Sequence, residues 1–137
     1  TSFFRLGEAA QLFDDHTAAI RFFKKALTFY EGPLAEKGGY RYHLGEAEYR
    51  NGQKKEGKAN MIKGLEEIQE GANELDSFLI HVWESGVHKR LAELLSKDEP
   101  KEAKKHYHEA KRIAEADPKL VIRRRQIAEL GKRLGFG

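Results

Sequence analysis

A helix–turn–helix pattern that recurs after 38 residues constrains the fold of this chain more than any other feature. In the first helix of each predicted pair, Leu6-Gly7 returns as Leu44-Gly45, and in the second helix Phe23 returns as Met61. A helical hairpin with a single apolar stripe cannot bury that stripe alone, so similar hairpins stack and share a core. The recurrence therefore predicts a repeat protein built from helical hairpins.

Turn-forming and capping residues divide the chain into seven predicted helices. Asp and Thr side chains accept the free amide hydrogens of a first helical turn, whereas Gly and Pro end helices. Breaks are predicted at residues 14–17, 31–33 and 51–53, at Gly71, and at residues 97–100 and 117–118. In the break at residues 97–100 we expect Asp98 to cap the next helix and Pro100 to occupy its first turn. The result is one domain over residues 1–137, with hairpins at about 2–31, 34–70 and 74–116 and a capping helix at about 118–134.

Apolar and small residues recur every three to four positions in these helices and mark the predicted inward faces. The inward faces of the fourth and seventh helices are predicted to include Ala59 and Val121. The sixth helix carries the stripe Ala103, Tyr107, Ala110, Ile113 and Ala114.

The composition agrees with an all-α fold and narrows the function classes. The 137 residues include three prolines and are 39% hydrophobic and 34% charged, as expected of a folded, soluble helical protein. The lack of cysteine excludes disulfides, thiolate nucleophiles and cysteine-based metal sites, and it fits a reducing compartment. No uncharged apolar run reaches the roughly 20 residues that cross a bilayer, and no charged-then-apolar leader opens the chain. We therefore expect a cytoplasmic protein without membrane association.

The small and aromatic residues of the first and third hairpins form a pattern that resembles the tetratricopeptide repeat (TPR). The matching residues are Leu6-Gly7, Ala19, Phe23, Ala26, Ala103, Tyr107, Ala110 and Asp117-Pro118. The usual repeat has about 34 residues, whereas the spacings here are 38 and 46, as in longer-repeat variants. The second hairpin departs from the pattern, with Gly57, Met61 and Gly64 in place of Ala, an aromatic residue and Ala. The resemblance implies a right-handed superhelical solenoid of three TPR-like hairpins plus a C-terminal capping helix.

The resemblance also implies a function, a non-catalytic protein-protein interaction module that binds a partner peptide or helix in a groove lined by the first helices. The predicted groove residues, expected to be exposed, are Phe4, Glu8, Gln11, Tyr42, His43, Glu46, Tyr49, His88 and Lys89. Chaperone-binding members of the family hold a C-terminal carboxylate with Lys, Arg and Asn donors. Phe4, Glu8 and His43 stand where Lys and Asn would be needed, and only Lys89 matches, so a chaperone tail is not the expected partner. The alternative for these positions is a solvated helix surface without a ligand.

The last predicted helix has a local excess of positive charge, with six basic residues and one acidic residue over positions 119–137. The basic patch comprises Arg123, Arg124, Arg125, Lys132 and Arg133. Such a helix can bind phosphates or acidic partners through counterion release, which gives an alternative function as a basic adaptor for nucleic acid or an acidic protein. The patch lacks interleaved aromatic residues, which argues against nucleic acid. Arg123, Arg124 and Arg125 can instead reach acidic residues of the preceding hairpin, with the charged face of a capping helix turned to water.

Metal-binding and catalytic hypotheses find little support. His81, Glu84 and His88 share one helix face at i, i+3 and i+7, but neither an HExxH motif nor a cysteine accompanies them. His106 and His108 lie two residues apart and so project from different sides of a helix. The sequence contains no Gly-x-Ser-x-Gly elbow and no glycine-rich phosphate loop. We therefore expect no metal, no cofactor and no enzymatic activity.

Overall fold

Seven α-helices and no strand form the described part of the chain, residues 2–136, in a computed structural model. The helices are α1 Phe3–Leu12, α2 His16–Phe29, α3 Leu34–Arg50, α4 Lys54–Glu70, α5 Ser77–Leu95, α6 Pro100–Ala116 and α7 Val121–Leu134. A short 3₁₀ turn, Ala72–Glu74, precedes α5. The all-α prediction with seven helices is confirmed. No helix in the described residues is both long enough and apolar enough to cross a bilayer.

The helices group into two compact units, and the first extends to Glu74. Within it α1 packs on α2, α2 on α3, and α3 on α4. The core at α1–α3 contains Ala19, Ile20, Phe23, Leu44 and Ala47. Gly7 lies directly under the Phe23 ring, so α1 and α2 approach closely, and a Cβ at Gly7 would stand 2.5 Å from a Phe23 ring carbon.

Glycines seven residues apart bring the backbones of α3 and α4 into contact. Gly38 and Gly45 lie on α3 and Gly57 and Gly64 on α4, and a seven-residue step returns nearly to the same helix face. A Cβ at Gly45 would stand 2.5 Å from the Gly57 carbonyl oxygen, and a Cβ at Gly64 would stand 2.5 Å from the Gly38 carbonyl oxygen. Both glycines that depart from the TPR pattern, Gly57 and Gly64, are therefore among the points of closest approach.

The second unit begins at Leu75 and holds α5, α6 and α7. α6 packs on α5, and α7 packs on both. All five residues of the predicted α6 stripe are buried, which confirms that stripe. The core at α7 contains Ala92, Tyr107, Ala110, Ala114, Leu120, Ile127 and Leu130.

Capping and turn-forming residues place most helix ends where they were predicted. Three predictions are wrong: the cap of α6 and the inward orientation of one residue each in α4 and α7. Asp15 caps α2 by accepting from the Ala18 amide at 3.1 Å. Asp98 is not the cap of α6; Glu99 holds that position with non-helical backbone angles, because the residue before a proline is driven out of the helical region. Ala59 is exposed, since the face of α4 that meets α3 is the one carrying Gly57 and Gly64.

Val121 is 52% exposed at the start of α7, although it was predicted to face inward. The inward side of this first turn is taken by Leu120, the residue just before the helix, which is buried in the core of the second unit.

Candidate functional site

Aromatic side chains of α1, α2, α3 and the residue that directly follows α2 form a continuous set of ring contacts in the first unit. This aromatic cluster consists of Phe4, Phe23, Tyr30, Tyr40, Tyr42 and His43. The Phe4 ring stacks on the Tyr40 ring with centroids 4.3 Å apart and meets His43 edge-on at 5.1 Å. Tyr42 contacts His43 at 4.9 Å. All of these side chains except Phe23 remain partly exposed, so the cluster combines fixed geometry with a solvent-facing surface.

Two phenols at one end of the cluster are held neutral. The Tyr30 hydroxyl donates to the Glu36 carboxylate at 2.7 Å. Burial, followed by this hydrogen bond, raises the pKa of Tyr30, and burial with the nearby Glu36 charge raises the pKa of Tyr40. Both hydroxyls therefore stay protonated at neutral pH. Sequence reasoning assigned neither residue to the groove, although Tyr40 lies three residues before His43 and so shares its helix face.

The predicted groove residues divide into two groups. Phe4, Glu8, Gln11, Tyr42, His43 and Lys89 are partly exposed, whereas Glu46, Tyr49 and His88 are buried. The expected exposure of the last three is wrong. Glu46 and Tyr49 lie on the part of α3 that α4 approaches at Gly57, and His88 faces His106 of α6. Glu46 is ion-paired with Arg50 at 3.1 Å.

Most of the basic patch on α7 serves the second unit itself. Arg124 donates to the carbonyl oxygens of Ala114 at 2.9 Å and Asp117 at 2.8 Å, so it satisfies the C-terminal end of α6. Arg123 donates to the Val82 carbonyl oxygen of α5 at 3.2 Å. Arg124 therefore reaches carbonyl groups rather than the acidic side chains that the sequence suggested, whereas Arg133 does donate to an acidic side chain of the preceding hairpin, Glu93, at 2.6 Å. Arg125 and Lys132 are exposed.

A cavity of about 340 Å³ between α5 and α7 brings together residues that the sequence assigned to two rival sites. Its lining includes Lys89 of the predicted groove and Arg133 of the predicted patch, with Glu93 and Glu129. The Glu93 carboxylate accepts from Arg90 at 2.5 Å and from Arg133 at 2.6 Å. Burial pushes the pKa of Glu93 upward, but the two guanidinium groups prevail and hold it below its usual value.

Lys89 is the cation of this cavity that makes no close ion pair within residues 2–136, although the charge of Glu93 acts on it. Among the described residues its ammonium group makes neither a hydrogen bond nor an ion pair. Burial and then the charge of Arg90 lower the pKa of Lys89, with further contributions from Arg123 and Arg133. The lining as a whole holds two basic and two acidic side chains, and Lys89 is the basic one that makes no close ion pair in the described part of the chain and can therefore pair with an added anion.

The histidines that suggested a metal site have other partners. His81 Nδ1 lies 2.8 Å from the Asp117 carboxylate, and His88 Nδ1 lies 2.9 Å from His106 Nδ1. Burial, then His106, lower the pKa of His88 to about 4. In residues 2–136 no three potential ligands converge as a metal site would require.

A second cavity, of about 350 Å³ between α6 and α7, was not anticipated from the sequence. Its lining residues are Tyr107, Lys111, Ala114, Glu115, Arg124, Ile127, Ala128 and Lys132. The small side chains of Ala114 and Ala128 on facing helices leave this space, and that pairing depends on how α6 and α7 pack. The floor of the cavity is apolar and three cationic side chains surround it.

The described residues thus offer an aromatic surface in the first unit and two cavities with cationic side chains in the second. The aromatic cluster is suited to apolar contacts, and the cavities are suited to acidic groups. Comparison of the chain with family models, with curated proteins and with solved structures gives no match.

Proposed function

We propose that this chain is a non-catalytic protein-protein interaction module of the TPR type, with three hairpins and a C-terminal capping helix. Its partner is a peptide or helix that contacts the aromatic cluster through Phe4, Tyr42 and His43. The observation that carries the proposal is the partly exposed array of mutually contacting rings on α1 and α3. The packed helix pairs and the close fit of Gly7 under Phe23 support the TPR type, since that pair is part of the pattern in the sequence.

The physical support is preorganisation. Each ring of the cluster is fixed by at least one neighbouring ring, so a partner would not have to order these side chains on binding. Aromatic side chains supply a large apolar area together with a polar group, and they are enriched among the residues that dominate interface energies. Glu8 and Gln11 on α1 are partly exposed and would add polar specificity beside the rings.

A Tyr42→Ala, His43→Ala double variant tests the proposal. Loss of aromatic anchors typically costs about 2 kcal/mol or more at an interface, which is roughly a thirtyfold loss of affinity. Partners are to be captured from extract of the source cell by the wild type and then quantified against each variant, with helicity checked by circular dichroism. Phe22→Ala is the matched control, because Phe22 is a half-exposed aromatic on α2 outside the cluster.

Retention of the same partners at wild-type affinity by a folded double variant would contradict the aromatic surface as the binding site. Equal loss in the Phe22→Ala control would show a general effect of removing aromatic surface.

A second candidate function, binding of an acidic protein through α7, is favoured by the unpaired Lys89 beside Arg133 in the α5–α7 cavity. Lys89→Met would then weaken capture of a poly-glutamate peptide, and raising the salt concentration would weaken wild-type binding. Lys105→Met, an exposed lysine outside the cavity, is the control. Preference for single-stranded DNA over the acidic peptide would favour the nucleic-acid form of this candidate instead.

A further inference from the structure

The turn between α1 and α2 presents two large apolar side chains to solvent. Leu12 is 84% exposed and Phe13 85% exposed, and two acidic residues, Asp14 and Asp15, follow directly. We call residues 12–15 the acidic-aromatic turn. Burial of a Phe side chain is worth about 1.5 to 3 kcal/mol, so a side chain left this exposed is available to contribute to an interface.

The acidic-aromatic turn is held in one conformation by its backbone. The Phe13 amide donates to the Ala10 carbonyl oxygen at 3.2 Å, and the Asp15 amide donates to the same oxygen at 2.9 Å. Asp14 has a left-handed φ of 56°, which Asp tolerates better than most residues. Asp15 caps α2. Phe13 is therefore presented by a rigid turn, and little conformational entropy is lost if it inserts into a partner.

The α6–α7 cavity has the complementary properties. Its floor is formed by apolar or small side chains that include Ile127 and Ala128, and Lys111 and Lys132 are exposed at its edge. At about 350 Å³ it lies within the range of pockets that hold small ligands, so it has room for one phenyl group. The single acid of the lining, Glu115, leaves the cavity with a net positive charge opposite to that of the turn.

We propose that the acidic-aromatic turn of one copy of this chain docks in the α6–α7 cavity of a second copy. Phe13 enters the cavity, and Asp14 faces Lys111 and Lys132 at its edge. Because the two surfaces differ, the contact is head-to-tail, and each added copy carries a free turn and a free cavity. The chain therefore self-associates into open oligomers or closed rings whose size depends on concentration.

Sedimentation of the wild type over a concentration series tests the self-association. We expect the average mass to rise with concentration, and Phe13→Ala to raise the dissociation constant at least about tenfold. Phe29→Ala is the matched control because Phe29 is also exposed, at 69%, on the same helix pair. A wild type that stays monomeric up to about 1 mM, beyond the usual range of specific contacts, would overturn the proposal, as would unchanged association of Phe13→Ala.

A mixing experiment tests the head-to-tail geometry. The first variant is Phe13→Ala, which lacks the turn side chain but keeps the cavity. The second variant is Lys111→Glu with Lys132→Glu, which reverses the charge at the edge of the cavity and leaves Arg124 in its capping role. Each variant alone should remain monomeric, but an equimolar mixture should form a complex of two chains and no larger species, because one intact turn meets one intact cavity. Lys101→Glu with Lys105→Glu, on exposed α6 lysines outside the cavity, is the charge-matched control and should associate like the wild type.

A mixture that stays monomeric would overturn the pairing of this turn with this cavity. Equal loss of association in the Lys101→Glu, Lys105→Glu control would also overturn this pairing, since the loss would then follow from the change in net charge and not from the charges at the edge of the cavity.

Discussion

His88 and His106 form a buried contact between α5 and α6 in which two imidazole nitrogens lie 2.9 Å apart. One ring must donate and the other accept, so the contact needs at least one neutral ring. His106 Nε2 also lies 3.5 Å from Glu102, while Glu109 and Arg112 act on His88 through their charges. The carboxyl group of Glu109 has a pKa below its usual value, chiefly because of its hydrogen bond to Arg112. Charging the buried His88 ring therefore opposes folding.

We expect the free energy of unfolding to decrease as the pH falls from about 6.5 toward 4. In that window the unfolded chain protonates His88, whose ordinary pKa is 6.5, whereas in the folded chain the pKa of His88 is about 4 and the ring stays neutral. The unfolded state then binds more protons, so stability rises with pH by up to about 1.4 kcal/mol per unit for this one group. Above about pH 6.5 His88 is neutral in both the folded and the unfolded chain, so it no longer makes the free energy of unfolding depend on pH.

Urea unfolding of the wild type and of His88→Gln between pH 4.5 and 7.5 measures this effect. The variant should show a shallower pH dependence, because Gln retains a donor and an acceptor but does not titrate. Equal slopes for the two proteins would assign the acid sensitivity to other groups.

The contact between α3 and α4 shows how one helix pair can depend on glycine. Gly38 and Gly39 are adjacent in α3, yet Gly38 is crowded by α4 and Gly39 has open space around it. A Cβ at Gly38 would clash with the backbone carbonyl oxygen of Gly64 and stand 2.9 Å from the Ile68 amide nitrogen, while a Cβ at Gly39 would meet nothing within 4 Å. Replacing Gly38 therefore tests the packing of the helix contact, whereas replacing Gly39 tests only the low helix propensity of glycine.

We expect Gly38→Ala and Gly39→Ala to change stability in opposite directions. Gly38→Ala should destabilise by about 1 to 3 kcal/mol or more, since a backbone atom cannot move aside as a flexible side chain can. Gly39→Ala should stabilise by about 0.5 to 1 kcal/mol, the usual gain from replacing glycine inside a helix. Thermal and urea unfolding measure both. Two variants with the same sign of change would mean that α3 and α4 do not meet at Gly38.

At the scale of the whole molecule, the chain is built as two compact units, each with its own buried residues. The core at α7 draws entirely on α5, α6, α7 and the residue Leu120 between the last two. Arg124 and Arg133 add polar links within the same three helices. The second unit therefore contains the interactions that a small helical domain needs.

A fragment of residues 75–137 should fold alone. Its length is within the range in which single helical domains are marginally stable. Circular dichroism should show a helical spectrum and a cooperative thermal transition for this fragment. A fragment that is unfolded at low temperature would show that the second unit needs the first.

The sequence by itself determined the elements, because the signals for them are local. The 3.6-residue period of Ala103, Tyr107 and Ala110 predicts the buried side of α6 wherever that helix packs, and all three are buried. Asp15 predicts a helix start because its side chain can cap a helix, and it does cap α2. Gly52 predicts a turn because glycine tolerates a positive φ, and its φ in the turn after α3 is 91°.

The tertiary structure decided which helix faces meet, and with them the candidate sites. Glu46 and Tyr49 are buried because α4 approaches that end of α3 at Gly57. The mixed polar and apolar pattern of α3 does not predict which of its faces α4 contacts. Lys89 and Arg133, 44 residues apart, line one cavity only because α7 packs against α5. Such pairings depend on distances between side chains that are remote in sequence, and a local period carries no information about them.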